Sequence, residues 1–100
     1  MPNDRAKDVQ GFTDGPLDVA RTSALRALWF AAKGDWHSAH EEAQAGKDAD
    51  CAWVHAMLHR DEGDQFNAEY WYRRAEKPVY RGPIQHERDA MIATLLHSQV

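Results

Sequence analysis

Two Gly-Asp pairs, Gly34-Asp35 and Gly63-Asp64, constrain this chain more than any other feature, because each closes one apolar helical pattern and opens the next. A glycine just past a helix end adopts the left-handed conformation without the Cβ penalty that other residues meet. An aspartate after it offers a side-chain oxygen to the free N–H groups of a new helix. The chain therefore reads as two units of helix, tight turn and helix. Sliding the sequence on itself by 29 residues sets Ala27 on Ala56, Gly34 on Gly63, Asp35 on Asp64 and Ala39 on Ala68, with Leu25 opposite Val54 and Leu28 opposite Met57. These positions share a physical role: small residues where helices approach closely, and a stop-and-cap pair at the turn. A period of about 20 to 50 residues marks stacked helical units, since one helix pair cannot bury its own apolar face.

Taken in order, residues 1–16 are polar, and Gly11, Gly15 and Pro16 are expected to interrupt any helix begun there. This stretch reads as an N-terminal arm, flexible unless Val9 and Phe12 dock it. From Leu17 apolar residues recur at spacings of three and four, which predicts a first helix over 17–33. A second is expected over 36–45, a third over 51–62 capped by Asp50, a fourth over 65–76 ended by Pro78, and a fifth over 84–97. On a helical wheel Trp53, Ala56, Met57 and Arg60 share the core side of the third helix, with His55, His59 and Glu62 opposite. In the fifth helix Ala90, Met91, Ala93, Thr94 and Leu95 are expected inside, and Glu87, Arg88 and Asp89 outside. No run alternates long enough to predict a strand. The expected fold is all-α, a single domain over 17–100 of about five helices: two tandem antiparallel helix-turn-helix units plus a C-terminal capping helix.

The second unit carries Gly63-Asp64 at the turn, Ala68 and Tyr72 as a small and aromatic pair, Ala75 after them and Pro78 near the unit's end. The first keeps Gly34, Asp35 and Ala39 but has Ala43 where the aromatic would fall. In this the chain, from roughly Ala24 to Pro78, resembles the tetratricopeptide repeat and the related SEL-like repeat; Trp71-Tyr72-Arg73-Arg74-Ala75 looks like a SEL-type helix end. The spacing is shorter than the usual tetratricopeptide period of about 34, and two copies are fewer than the three a stack usually needs. The resemblance therefore implies either that the fifth helix and the arm cap the array or that two chains stack together. It also implies a scaffold that binds peptides or protein surfaces along a concave side, and it carries no catalytic residues.

Composition removes several classes. Twelve basic residues against sixteen acidic ones, a net charge of -4, leave no footprint for phosphate backbones, so no nucleic-acid partner is expected. Arg73, Arg74 and Arg81 form only a local basic patch. Cys51 is the one cysteine, so neither an intrachain disulfide nor a thiolate metal cluster can form within a chain. At the start of the third helix the helix dipole could lower its pKa, but a lone cysteine beside Trp and Val reads as packing. Met1-Pro2-Asn3-Asp4-Arg5 lacks the apolar core of a signal peptide, and no apolar run reaches the roughly 18 residues a bilayer span needs. A cytoplasmic chain with no membrane partner and no cofactor is expected.

Two sets of residues carry chemical interest. Six histidines are many for 100 residues. His55 and His59 lie four apart on one helical face with Glu62 following, and His37, His40 and Glu41 form a second set on the preceding helix. If the helices pack side by side, these imidazoles could share one ion, which makes a small metal-binding protein or metal-dependent hydrolase the alternative reading. There is no His-Glu-x-x-His, and the plain reading is of solvent-facing histidines. The second set is aromatic. Trp53 and Trp71 share faces with alanines and are expected to be buried. Phe66, Tyr70, Arg73 and Arg74 lie away from the core face, and aromatic and arginine side chains are enriched at interfaces. They form the candidate partner-binding surface, unless the fifth helix or the arm covers them. The expected function is a protein-interaction module with no catalytic activity of its own; homo-oligomerisation is a further option.

Overall fold

The structure is a computed structural model that describes the backbone of residues 4–98 and the side chains of residues 6–98. It is all-helical, with no strand among the described residues. Six α-helices follow in order: α1 (Asp4–Asp14), α2 (Ser23–Ala32), α3 (Trp36–Ala45), α4 (Ala49–Asp61), α5 (Gln65–Ala75) and α6 (Ile84–His97), with a single 3-10 turn at Leu17–Val19 between the first two.

The helix beyond the expected five is α1. Residues 1–3 of the expected arm lie outside the described residues, but from Asp4 the arm is helical and Gly11 does not break it. A mid-helix glycine costs about 1 kcal/mol. Here Phe12, 4% exposed, packs into the core with Val9 beside it. The end of the helix is tied down as well, since Trp29 Nε1 donates to Gly15 O at 3.0 Å and Lys33 Nζ donates to Thr13 O. Docking outweighs the glycine penalty.

Helix starts follow their caps. Thr22 Oγ1 accepts from Leu25 N–H at 3.1 Å, so α2 begins at Ser23 and not at Leu17. Asp48, not Asp50, accepts from Cys51 N–H at 2.8 Å, which starts α4 two residues before the expected Cys51. At the two Gly-Asp turns Gly34 has φ 81 and Gly63 φ 88, both left-handed. Asp35 and Asp64 adopt nearly the same backbone conformation, φ -95 ψ 78 and φ -99 ψ 78. Each accepts at 3.1 Å from the N–H three residues on, Ser38 and Asn67.

These turns fold α2 back on α3 and α4 back on α5, while α3 lies against α4 and α6 packs across α1, α2 and α4. Ala27, Ala39, Ala56 and Ala68, the alanines that the 29-residue offset pairs, are each 0% exposed. Their lack of bulk lets the helix axes come close. The main core holds Leu25, Leu28, Val54, Met57, Leu58, Met91 and Ile92, and a smaller cluster of Ala56, Ala68 and Tyr72 sits beneath Trp53, Trp71, Val79 and Tyr80.

Several faces differ from expectation. Trp53 and Trp71 are half-buried, with Lys77 Nζ lying 4.4 Å from the centroid of the Trp53 ring. Glu87, expected outside, is 3% exposed, while Ala90 and Thr94, expected inside, are exposed. Burial of Glu87 is made possible by Arg60 and Tyr72. Arg60 donates from Nε (3.1 Å) and Nη2 (2.9 Å) to Oε1, and the Tyr72 hydroxyl donates to Oε2. A buried charge is tolerated when it is paired and hydrogen-bonded in this way. No helix is long and apolar enough to cross a membrane among the described residues.

Candidate functional site

The side of α4 opposite Trp53 is not solvent. Buried Ala39 and Ala43 bring α3 onto it, and α5 closes it from the other flank. Trp36 pins α3 in place by donating from Nε1 to Leu58 O at 2.8 Å. This seam brings together His40 of α3 with His55 and His59 of α4. His55 is 4% exposed, and the other two are half-buried.

His55 and His59, four residues apart on one face, stack with ring centroids 4.8 Å apart at 19°. His40 stands edge-on to both, at 4.7 Å and 86° to His55 and at 5.4 Å and 79° to His59. Its Nε2 lies 3.0 Å from His55 Nε2, where one nitrogen donates and the other accepts. Two indoles wall the cluster: Trp71 of α5 lies flat on His55 at 4.0 Å and 14°, and Trp36 lies flat on His40 at 4.8 Å and 10°. His59 Nδ1 is 2.7 Å from Glu62 Oε2. With that nitrogen protonated as the donor, His59 keeps its lone pair on Nε2.

The surroundings favour the neutral form of His40 and His55. Burial pushes the His55 pKa down to about 4, with the nearby His40 and His59 acting in the same direction. Burial, followed by His59, also lowers that of His40. Neutral imidazole is the ligand form of histidine. One ring nitrogen from each of His40, His55 and His59 lies within 4.8 Å of the others. A second set, His59, Glu62 and Asp64, meets the same distance. Its Asp64 carboxylate is already committed, with Oδ1 capping α5 at Asn67 N–H and Oδ2 accepting from Asn67 Nδ2 at 2.7 Å.

Of the four histidines in the metal alternative, the structure assembles His40, His55 and His59 and leaves out His37. That side chain is 81% exposed and faces Glu41 at 3.6 Å. On α3 it sits three residues before His40, and the helical turn carries it outward. The two walls, Trp36 and Trp71, were not foreseen as part of this site. Trp36 was legible from its i, i+4 relation to His40, whereas Trp71 reaches His55 only through the α4–α5 hairpin.

The proposed partner surface lies elsewhere on α5. Phe66 is 86% exposed and Tyr70 is also exposed, with neither covered by α6 or α1. Arg73 and Arg74 are exposed too. Arg74 Nη1 donates to the Tyr70 hydroxyl at 3.1 Å, and the guanidinium lies 5.8 Å from the Tyr70 ring and 5.5 Å from that of Trp71. Cys51 is buried, and its thiol is pushed up to about 12 by burial and then by the hydrogen bond and charge of Asp48. Burial thus outweighs any lowering by the helix dipole and favours the neutral thiol.

Compared with protein-family models, with curated proteins and with solved structures, the chain has no match.

Proposed function

We propose that the chain is a small helical-repeat module of the tetratricopeptide or SEL-like kind, two hairpins capped by α1 and α6, which binds a protein or peptide partner and has no catalytic activity of its own. The near-identical backbone at Asp35 and Asp64 and the four fully buried alanines support two copies of one unit. The faces of α2 and α4 are covered by α6, so the partner is met on the outer helix α5. One observation carries the reading: Phe66 stands 86% exposed beside exposed Tyr70 on the helix that also bears Arg73 and Arg74. Aromatic anchors flanked by arginines match an acidic segment that carries an apolar side chain. A single buried free thiol suits a reducing, cytoplasmic setting.

Panning a random peptide library tests this. The wild-type chain is expected to enrich peptides in which Asp or Glu flank an aromatic or aliphatic residue. A Phe66→Ala, Arg73→Glu variant of unchanged melting temperature is expected to lose them. Equal enrichment by both proteins, or none by either, would overturn the reading. Sedimentation at several concentrations tests the competing occupant of the same face, a second copy of the chain. A metal-binding role is favoured by a separate observation, the convergence of His40, His55 and His59.

A further inference from the structure

The geometry points to a mononuclear transition-metal site formed by His40, His55 and His59, of a kind that takes Zn2+. This inference does not rest on the partner-binding role, although Arg74 of the partner surface borders the site through Trp71.

Spacing carries the argument first. Zinc holds imidazole nitrogens at about 2.0–2.1 Å in tetrahedral geometry, so two ligand nitrogens on one ion lie roughly 3.3 Å apart. The His40 and His55 Nε2 atoms are 3.0 Å apart, and a nitrogen of His59 completes a set whose members all lie within 4.8 Å. The backbone sets His40 on α3 beside the other two, one turn apart on α4; binding an ion requires the ring that donates from Nε2 to pass that proton to Nδ1 and His59 to turn its ligand nitrogen inward.

The surroundings of the rings point the same way. Metal-binding histidines commonly donate their other N–H to a carboxylate, which fixes tautomer and orientation. Glu62 takes that position on His59 Nδ1 at 2.7 Å. Trp36 and Trp71 clamp the outer faces of His40 and His55 and limit their rotation. Of the three, His55 also lines a pocket of about 390 Å³ bounded by Gly46, Lys47, Ala52, Trp71 and Arg74.

The rival explanation is a structural imidazole cluster held by packing alone. Its internal hydrogen bonding is thin, since a single hydrogen bond joins His40 to His55, and His59 turns to Glu62. A set of three imidazole nitrogens selects zinc, copper or nickel over magnesium and calcium, which take oxygen. Three protein ligands leave a fourth position for water or an external ligand.

Calorimetric titration of the chelator-stripped full chain with Zn2+ tests the site. Expected are one ion per chain, a raised melting temperature, and tetrahedral d–d absorption when Co2+ replaces Zn2+. His40→Ala and His59→Ala are each expected to weaken binding at least tenfold, Glu62→Gln about 10- to 100-fold, and His37→Ala not at all. Histidine nitrogen spectra of the wild-type chain give a readout free of mutation, with the resonances of three rings shifting at one equivalent. Absence of binding at 100 µM Zn2+ would overturn the assignment. So would affinity that survives both His40→Ala and His59→Ala in folded protein, or that is lost in His37→Ala.

Discussion

Helix α4 carries a buried polar cluster on each of two sides, and the two are completed to different degrees. Toward α5 and α6, Glu87 spends both carboxylate oxygens, Oε1 on Arg60 and Oε2 on Tyr72, and the Arg60 guanidinium lies 5.2 Å from the Tyr80 ring. Toward α3 and α5, three imidazoles face one another with one hydrogen bond among them, between His40 and His55. A network whose acceptors are all matched within the chain serves the fold. A group of imidazole nitrogens gathered at ligand spacing, with one hydrogen bond among them and one to Glu62, has capacity to spare.

Stability measurements separate the two clusters. Glu87→Ala strands a part-buried guanidinium and a buried hydroxyl, and a loss of about 3 kcal/mol in urea denaturation is expected. A loss under about 1 kcal/mol would remove the distinction. On the other side, His55→Leu in metal-free protein is expected to cost only about 1 kcal/mol. The residue left behind, His40, is half-buried, so water replaces the lost partner. If the two costs came out equal, the imidazoles would be as structural as the ion pair.

The turns supply a scale for both numbers. Gly34 and Gly63 share a left-handed backbone, and a Cβ added at either meets nothing within 4 Å. Ala at each position should therefore cost about 1 kcal/mol, through conformation alone and by the same amount at both. Unequal costs would mean that the two hairpins are less alike than their backbones.

The smallest effect concerns Cys51. Its thiol is raised from 9.0 to about 12, so the native state holds the proton after the unfolded chain has released it. The contribution of this group to stability is present below the unfolded pKa and is lost as pH rises through that window. Thiol labelling at pH 8 to 9 should be slow in native protein and fast in denaturant. Rapid native labelling would show the start of α4 to be more open than described.

Much of this fold was legible because its punctuation is local. Gly34-Asp35 and Gly63-Asp64 act through their own backbone and the next three residues, and so α3 and α5 begin where expected. Thr22 and Asp48 are equally local, yet Leu17 and Asp50 offered competing starts that only tertiary packing decides. The helix at α1 was hidden because Gly11 argues against it locally, while Phe12 argues for it only once a core exists to receive it. At the site, the wheel put His55 and His59 together correctly but took the side opposite Trp53 to be solvent. In a bundle where α3, α5 and α6 all contact α4, both sides are interior. Glu87 was misplaced for a related reason, since its partners Arg60 and Tyr72 are 27 and 15 residues away in sequence.

Trp71 and Tyr72 are neighbours on α5, yet they address different clusters, the first lying on His55 and the second bonding Glu87. Successive helical residues point about 100° apart, so this one dipeptide ties α5 to both sides of α4. Any roll of α5 that loosens the indole from the imidazole also moves the phenol against the carboxylate. Paired substitutions at His55 and Glu87 should accordingly depart from additivity by about 0.5 kcal/mol or more, although the two residues share no contact of their own.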